Sequence, residues 1–355
     1  MSSLKELTSV LSRVKTTWER DEDAALVMIT DVWGSSYRPP GTKIMISSDG
    51  QVYGTLSGGC LEADLIEWTK KAILQKKPLI KSYDLSENDL WGLGIGCKGG
   101  LEILILPLEK NSKFWSDINS EILKNELVHL VINLSTGEVS LFNSENQLVH
   151  RNGDYPPAKI INELFFQSKQ QKYGAKVIND REERYVIDTI YPPEILIVSG
   201  AGHDAVLVVD LAIKANFEVI VLDPRLQYNH SKRFPGAQHC IADPIKFKEL
   251  SITYFNCWWI IMNHHMERDK AALNLALNSS PEYVGVLGPI KRTEELLESI
   301  GETINHQSIY APIGLDLGGD TVEEVGISII SELLAIRNKK TAGHLKGKSK
   351  IHQRK

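Results

Sequence analysis

Apolar residues open the chain at helical spacing: Leu4, Leu7, Leu11, Val14 and Trp18 share one helix face. The period then shortens. Ala24–Thr30 is an apolar run of strand length, and Lys43–Ser47 and Gln51–Tyr53 flank Asp49-Gly50, a hairpin signal. Leu61, Leu65, Trp68 and Ala72 restore the helical spacing, and Leu101–Leu106 reads as a buried strand. Between 111 and 185 the pattern weakens. It predicts a helix at Trp115–Leu123, a hairpin of Val128–Leu134 with Val139–Phe142, and a helix at Pro156–Gln171. The charge-rich run Asn179–Arg184 and the pair Pro192-Pro193 mark a boundary region, so residues 1–185 are read as one α/β domain.

The second half alternates strand and helix. Glu194–Val198 is a strand, and Gly200-Ala201-Gly202-His203-Asp204-Ala205 follows at once and opens a helix. Glu218–Leu222 is the next strand and ends at Asp223, roughly 20 residues beyond the first glycine, where a dinucleotide fold carries its acid. Strand, glycines, helix, strand and acid in register predict a Rossmann-like, doubly wound parallel sheet over 186–338. Trp258–Met262, Tyr283–Leu287 and the capping box at Thr321-Val322-Glu323-Glu324 continue it. Glycines there admit a phosphate close to a helix N-terminus, and Asp223 stands where a carboxylate takes a ribose hydroxyl. The other reading is a Rossmann scaffold with a repurposed crevice. His264, Gly288 and the loop Pro312–Asp320 fall after strands, on the ligand edge of such a sheet. Adjacent histidines on an extended segment point apart, so His264 is expected to donate to a ligand rather than to form a metal pair with His265.

Two glycine-rich turns in the first half close on cysteines. Gly92-Leu93-Gly94-Ile95-Gly96-Cys97-Lys98-Gly99-Gly100 has five glycines in nine residues, and Ser57-Gly58-Gly59-Cys60 echoes it. In a nest of N–H groups a thiol deprotonates more readily, and Lys98 adds to this at Cys97. The plain alternative is two tight turns with small buried cysteines. Arg38 and Lys43 add fixed cations to the loop Gly34–Lys43.

Composition changes this picture little. The chain has 355 residues, 42% hydrophobic and 24% charged, with a net charge of −5. Seven Lys/Arg and no Asp/Glu lie in 339–355, so that tail is basic and without apolar period, expected to be disordered, and the body is acidic. An acidic body argues against nucleic-acid binding. Four widely spaced cysteines suggest neither a disulfide framework nor a zinc site, and no run is long enough to span a membrane. A reduced, cytoplasmic protein is expected.

Taken together the motifs resemble the XdhC/CoxI family, accessory proteins of xanthine dehydrogenase and related molybdenum hydroxylases. The resemblance rests on Gly34-Ser35-Ser36 with Arg38-Pro39-Pro40-Gly41, Ser57–Glu62, Gly92–Cys97, Gly200–His203, Asp223-Pro224-Arg225, Tyr283–Gly288 and Pro312–Asp316. Lys98 departs from a usual glycine, and Asn263-His264 from a common Thr-His. The resemblance implies a chaperone that binds molybdenum cofactor (molybdopterin or its cytosine dinucleotide form), promotes its sulfuration with a cysteine desulfurase and delivers it to an apo molybdenum hydroxylase such as xanthine dehydrogenase. It also implies oligomers, with a homodimer expected here. On this reading Arg38, Lys43, Gly58, Gly59, Gly94, Gly96, Gly200, Gly202, His203, Asp223, Arg225, His264 and Asp316 are the candidate cofactor-binding residues. Cys97, with Cys60 beside it, is the candidate functional thiol and molybdenum contact. The competing reading is an oxidoreductase, or a subunit associated with the dehydrogenase, that binds NAD(P) or another nucleotide in the Rossmann crevice.

Overall fold

The computed structural model describes residues 4–34, 36–57, 59, 61–84, 99–110, 112–124, 126–169, 174–246 and 257–347. The chain divides into two compact units, the first running to Pro192 and the second from Pro193 to Lys346.

The first unit contains α1 (Leu4–Glu19), β1 (Ala24–Gly34), β2 (Lys43–Ser47), β3 (Val52–Tyr53), α2 (Glu62–Gln75), β4 (Leu79–Asp84), β5 (Gly99–Pro107), α3 (Lys113–Leu123), β6 (Val128–Asn133), β7 (Val139–Phe142), β8 (Leu148–Arg151), α4 (Ala158–Lys169), β9 (Gly174–Asp180) and β10 (Glu183–Ile190). They build two antiparallel sheets, ordered β3-β2-β1-β5-β4 and β8-β7-β6-β10-β9. Period-two alternation assigns the faces. Leu26 and Met28 of β1 join Leu7 and Leu11 of α1, Phe114 and Ile118 of α3, and Leu130 and Val186 of the second sheet in one core. Val27 and Ile29 turn the other way, onto Leu65 and Ala72 of α2. Val131, Phe142 and Ile187 pack on Ile160 and Leu164 of α4.

Strand β10 moves the expected boundary. The first unit runs past residue 185 because Asn179–Arg184 is not a linker: it spans the turn of a hairpin in which β10 pairs with β9 and β6. The inward face of β10 mixes apolar Val186 and Ile190 with Arg184 and Asp188. Arg184 forks onto Glu102 of β5 with both contacts at 2.9 Å, and Lys43 of β2 meets Asp188 at 2.5 Å. Two ion pairs thus tie β10 to the other sheet.

The second unit contains β11 (Ile195–Ser199), α5 (Ala205–Lys214), β12 (Glu218–Leu222), β13 (Gln238–Cys240), β14 (Trp258–Ile261), α6 (Met266–Asn278), β15 (Tyr283–Val286), α7 (Ile290–Glu298), β16 (Ile309–Tyr310) and α8 (Val322–Arg337). All pairings are parallel, in the order β13-β12-β11-β14-β15-β16. Helices α5 and α8 cover one face through Val208, Val209, Ile329 and Leu333. Helices α6 and α7 cover the other through Ala272, Leu273, Leu296 and Leu297. The capping box is formed, with Thr321 and Glu324 bonding each other's backbone N–H. This is the doubly wound parallel sheet that the alternation predicts. From Asn338 to Gly347 the chain forms neither helix nor strand.

Candidate functional site

The order of the parallel sheet reverses between β11 and β14, and the carboxyl end of that reversal is the ligand crevice of such folds. Gly200 makes the turn out of β11. Its φ is +117°, and a Cβ there would lie 2.4 Å from the Met262 carbonyl oxygen. Only glycine lets β11 and the end of β14 approach this closely.

Asp223 follows β12, and the structure turns it inward rather than toward a ribose. Its side chain is 1% exposed. Oδ2 accepts the Ala201 N–H at 2.9 Å and Arg225 Nη2 at 2.7 Å. Oδ1 accepts the Arg225 N–H at 2.9 Å and Nε at 3.0 Å. Burial pushes the carboxyl up, but hydrogen bonds from Arg225 and Ala201 and the guanidinium charge outweigh it and hold it below the usual carboxylate range. Four donors fill the carboxylate, so it acts as a tether between the glycine turn and Arg225. The carboxylate thus holds the protein's own donors at the place where the sequence leads one to expect a ribose hydroxyl.

The cations gather where the acid is withdrawn. The Arg225 guanidinium carbon lies 4.5 Å from the Tyr228 ring centroid, and that of Arg233 lies 5.1 Å from it. The His203 ring meets Tyr228 edge-on, with centroids 6.3 Å apart. Arg233 Nη2 donates to the Gly202 carbonyl at 2.9 Å. Both guanidiniums are therefore tied to the glycine turn, one through Asp223 and one directly. Asn229 pins the segment beneath them by donating to the Val221 carbonyl at 2.9 Å.

The start of α5 differs from the expected open phosphate seat. Asp204 accepts the Ala205 N–H at 3.1 Å, and its Oδ2 lies 2.7 Å from His264 Nε2. A Cβ on Gly202 would lie 2.2 Å from Asp204 Oδ1. A carboxylate thus already occupies the helix N-terminus. His264 takes a left-handed φ of +54°, and its side chain is 63% exposed. His265 has a separate task, capping α6 through a 3.4 Å bond from the Arg268 N–H. Asp316 is exposed in the loop after β16, whose Gly314 N–H donates to Glu332 at 3.1 Å.

In the first unit Lys43 is 1% exposed, held by Asp188 and donating to the Gly41 carbonyl at 2.8 Å. It is an interior ion pair and does not present a surface cation for phosphate. Arg38 contacts Glu6 at 2.5 Å. Burial pushes the Glu6 carboxyl up, against the pull of Lys43 and Arg38. The turn before α2 closes on itself, with Ser57 Oγ donating to Glu62 at 2.6 Å and accepting the Leu61 N–H at 3.0 Å. Gly59 lies there with φ +111°. Gly58, Cys60, Gly94, Gly96 and Cys97 lie outside the described residues. Burial raises the thiol of Cys240, and that of Cys257 up to about 12. Among the described residues no group of three or more His, Cys, Asp or Glu could hold a metal ion, and no helix is long and apolar enough to cross a membrane.

Sequence reasoning did not single out Arg233, Tyr228, Asp204 or Asn229. Tyr228, Asn229 and Arg233 follow β12 in a stretch without hydrophobic period, and only the nearby Asp223-Pro224-Arg225 signals them.

Two family models match the chain: the XdhC Rossmann domain over residues 196–333 and the XdhC and CoxI family over 17–84. Together they cover more than half of it. A Bacillus subtilis protein whose name describes it as a probable subunit of xanthine dehydrogenase is 29% identical over 330 residues, 90% of this chain and 95% of that protein. The uncharacterized protein YqeB of Escherichia coli is 19% identical over 326 residues, 90% of this chain and 44% of that protein. A crystal structure described as a xanthine dehydrogenase from Bacillus halodurans superposes with a TM-score of 0.76 at 28% identity. The match covers 95% of this chain and 98% of that one.

Proposed function

The chain belongs to the XdhC and CoxI family, and on that premise we propose that it is an accessory protein of xanthine dehydrogenase or a related molybdenum hydroxylase. Its cargo is molybdenum cofactor, which it holds for sulfuration and hands to the apo-hydroxylase. A cysteine desulfurase is the partner that supplies sulfur, and the working form is a homodimer.

The crevice carries this reading. A pterin cofactor offers a phosphate and a planar ring system, and the carboxyl edge of the second unit offers two guanidiniums, two imidazoles and an aromatic ring beside a glycine turn. Arg225 and Arg233 bind the anion, and Asp223 and Gly202 position them. Delivery, not turnover, is the role. Cys97 is the thiol proposed to contact the molybdenum, and Cys240 is its control because burial holds that thiol protonated.

The test is to produce the apo-hydroxylase with and without this chain and to measure bound molybdenum, cyanide-releasable sulfur and turnover. Wild type and Cys240→Ala are expected to yield active, sulfurated hydroxylase. Cys97→Ala should stay folded and fail to do so. A hydroxylase equally active without the chain would end the accessory reading. Equal activation by Cys97→Ala would make that thiol structural.

A further inference from the structure

In a nucleotide crevice, the group at the end of the second strand reads what the ribose carries: a free carboxylate accepts a hydroxyl, and an arginine accepts a phosphate. Here the carboxylate is withdrawn. All four hydrogen bonds that fill Asp223 come from the protein itself. What stands at the opening is Arg225, whose side chain is 37% exposed and whose Nη1 has no partner among the described residues.

A second cation lies over the same Tyr228 ring. Arg233 makes no ion pair among the described residues; its guanidinium has one hydrogen bond, to the Gly202 carbonyl, beside the Tyr228 and Phe234 rings, and its Nε is buried with no hydrogen-bond partner. An unpaired guanidinium with an orphaned buried N–H, facing the same ring as another guanidinium, is costly without an anion. The other anion seat of the fold, the start of α5, holds the Asp204 carboxylate and repels a bridging pyrophosphate. Charge has moved from the helix terminus to the arginine pair.

We propose that the crevice is anchored on a terminal phosphomonoester, seated between Arg225 and Arg233 against Tyr228, and that it discriminates against ligands whose phosphates are all bridging. This rests on the crevice being the binding site argued above and adds the ligand class it takes. A dianion at one terminal phosphorus presents three oxygens to the remaining N–H groups of two guanidiniums whose other donors are already held by Asp223 and the Gly202 carbonyl, whereas a bridging diester carries one charge per phosphorus and is flanked on both sides. Two sources carry such a group: the phosphate of molybdopterin, absent as a terminal group from its cytosine dinucleotide form, and the 2′-phosphate of NADP, absent from NAD.

The experiment is a calorimetric titration of the full chain with NADP+, NAD+, molybdopterin and molybdopterin cytosine dinucleotide at one fixed salt concentration. In at least one pair the phosphomonoester member is expected to bind at least tenfold tighter, and the pair with the gap identifies the source. Arg233→Gln should shrink that gap to within about twofold; this variant spares the buried Asp223–Arg225 pair and keeps the fold. Arg225→Lys, which retains charge and loses the open Nη1 while disturbing the bonds to Asp223, should narrow it. Ratios near one in both pairs, or a gap untouched by both variants, overturn the phosphomonoester anchor while leaving the crevice as the site. If none of the four ligands binds, the crevice reading and this inference fall together.

Discussion

The Asp223 carboxylate faces the Ala201 N–H and the Arg225 guanidinium at once, at 2.9 and 2.7 Å from the same oxygen. One side chain therefore fixes both the glycine turn and the exposed arginine. The two halves of the pair are unequal, because Asp223 is buried and Arg225 is 37% exposed. Removing the arginine strands a charge in the interior, and removing the acid releases an arginine that water can reach. Arg225→Gln is expected to cost about 3–5 kcal/mol, and Asp223→Asn roughly 2–3 kcal/mol from lost charge-assisted bonds. Urea denaturation at pH 7 checks the order; a larger loss in Asp223→Asn would contradict it.

Lys43 and Asp188 pose the same question in the first unit, with both partners buried. Lys43→Ala should destabilise by about 3–5 kcal/mol, since it leaves the buried Asp188 without the cation it pairs with. Lys43→Met with Asp188→Leu should recover most of that loss. A double-mutant cycle measured by chemical denaturation decides it: if the double variant is as unstable as the single one, the pair is more than a satisfied charge couple.

His129 sets an acid limit on the first unit. It is fully buried, with Nδ1 3.0 Å from Thr189 Oγ1, and burial pushes its pKa down to about 4 from 6.5. The unfolded chain then binds the proton first as the pH falls. Stability is whole above about 6.5 and declines toward 4, by on the order of 3 kcal/mol. His129→Gln should flatten that limb. An unchanged acid limb in the variant would assign it to other groups.

Most of the second unit is legible in the sequence because β11, β12, β14 and β15 are short apolar runs closed by a glycine or a polar residue. Tyr283–Val286 and Trp258–Ile261 are buried throughout, as strands covered on both faces must be. Strand β10 hides because its inward face carries Arg184 and Asp188, whose partners Glu102 and Lys43 lie far away in the chain. Local pattern reads such a strand as a polar linker. The crevice was half legible. Register places Asp223 after β12, but its direction depends on Arg225 folding back two residues later, and Arg233 joins only through the tertiary fold.

Cofactor content tests most directly whether the crevice is where the cofactor is held. Wild type and Gly202→Val would each be purified as folded protein from cells that make molybdenum cofactor, and their molybdenum and pterin measured per chain. A branched side chain at 202 displaces the Asp204 carboxylate, which lies 2.2 Å from the Cβ position, and crowds the turn that Arg233 holds. The wild type is expected to retain both molybdenum and pterin, and Gly202→Val to stay folded, with a melting temperature lower by only a few degrees from the disturbed helix cap, and to lose at least nine-tenths of each. Equal molybdenum and pterin in the two proteins would contradict cofactor binding in the crevice.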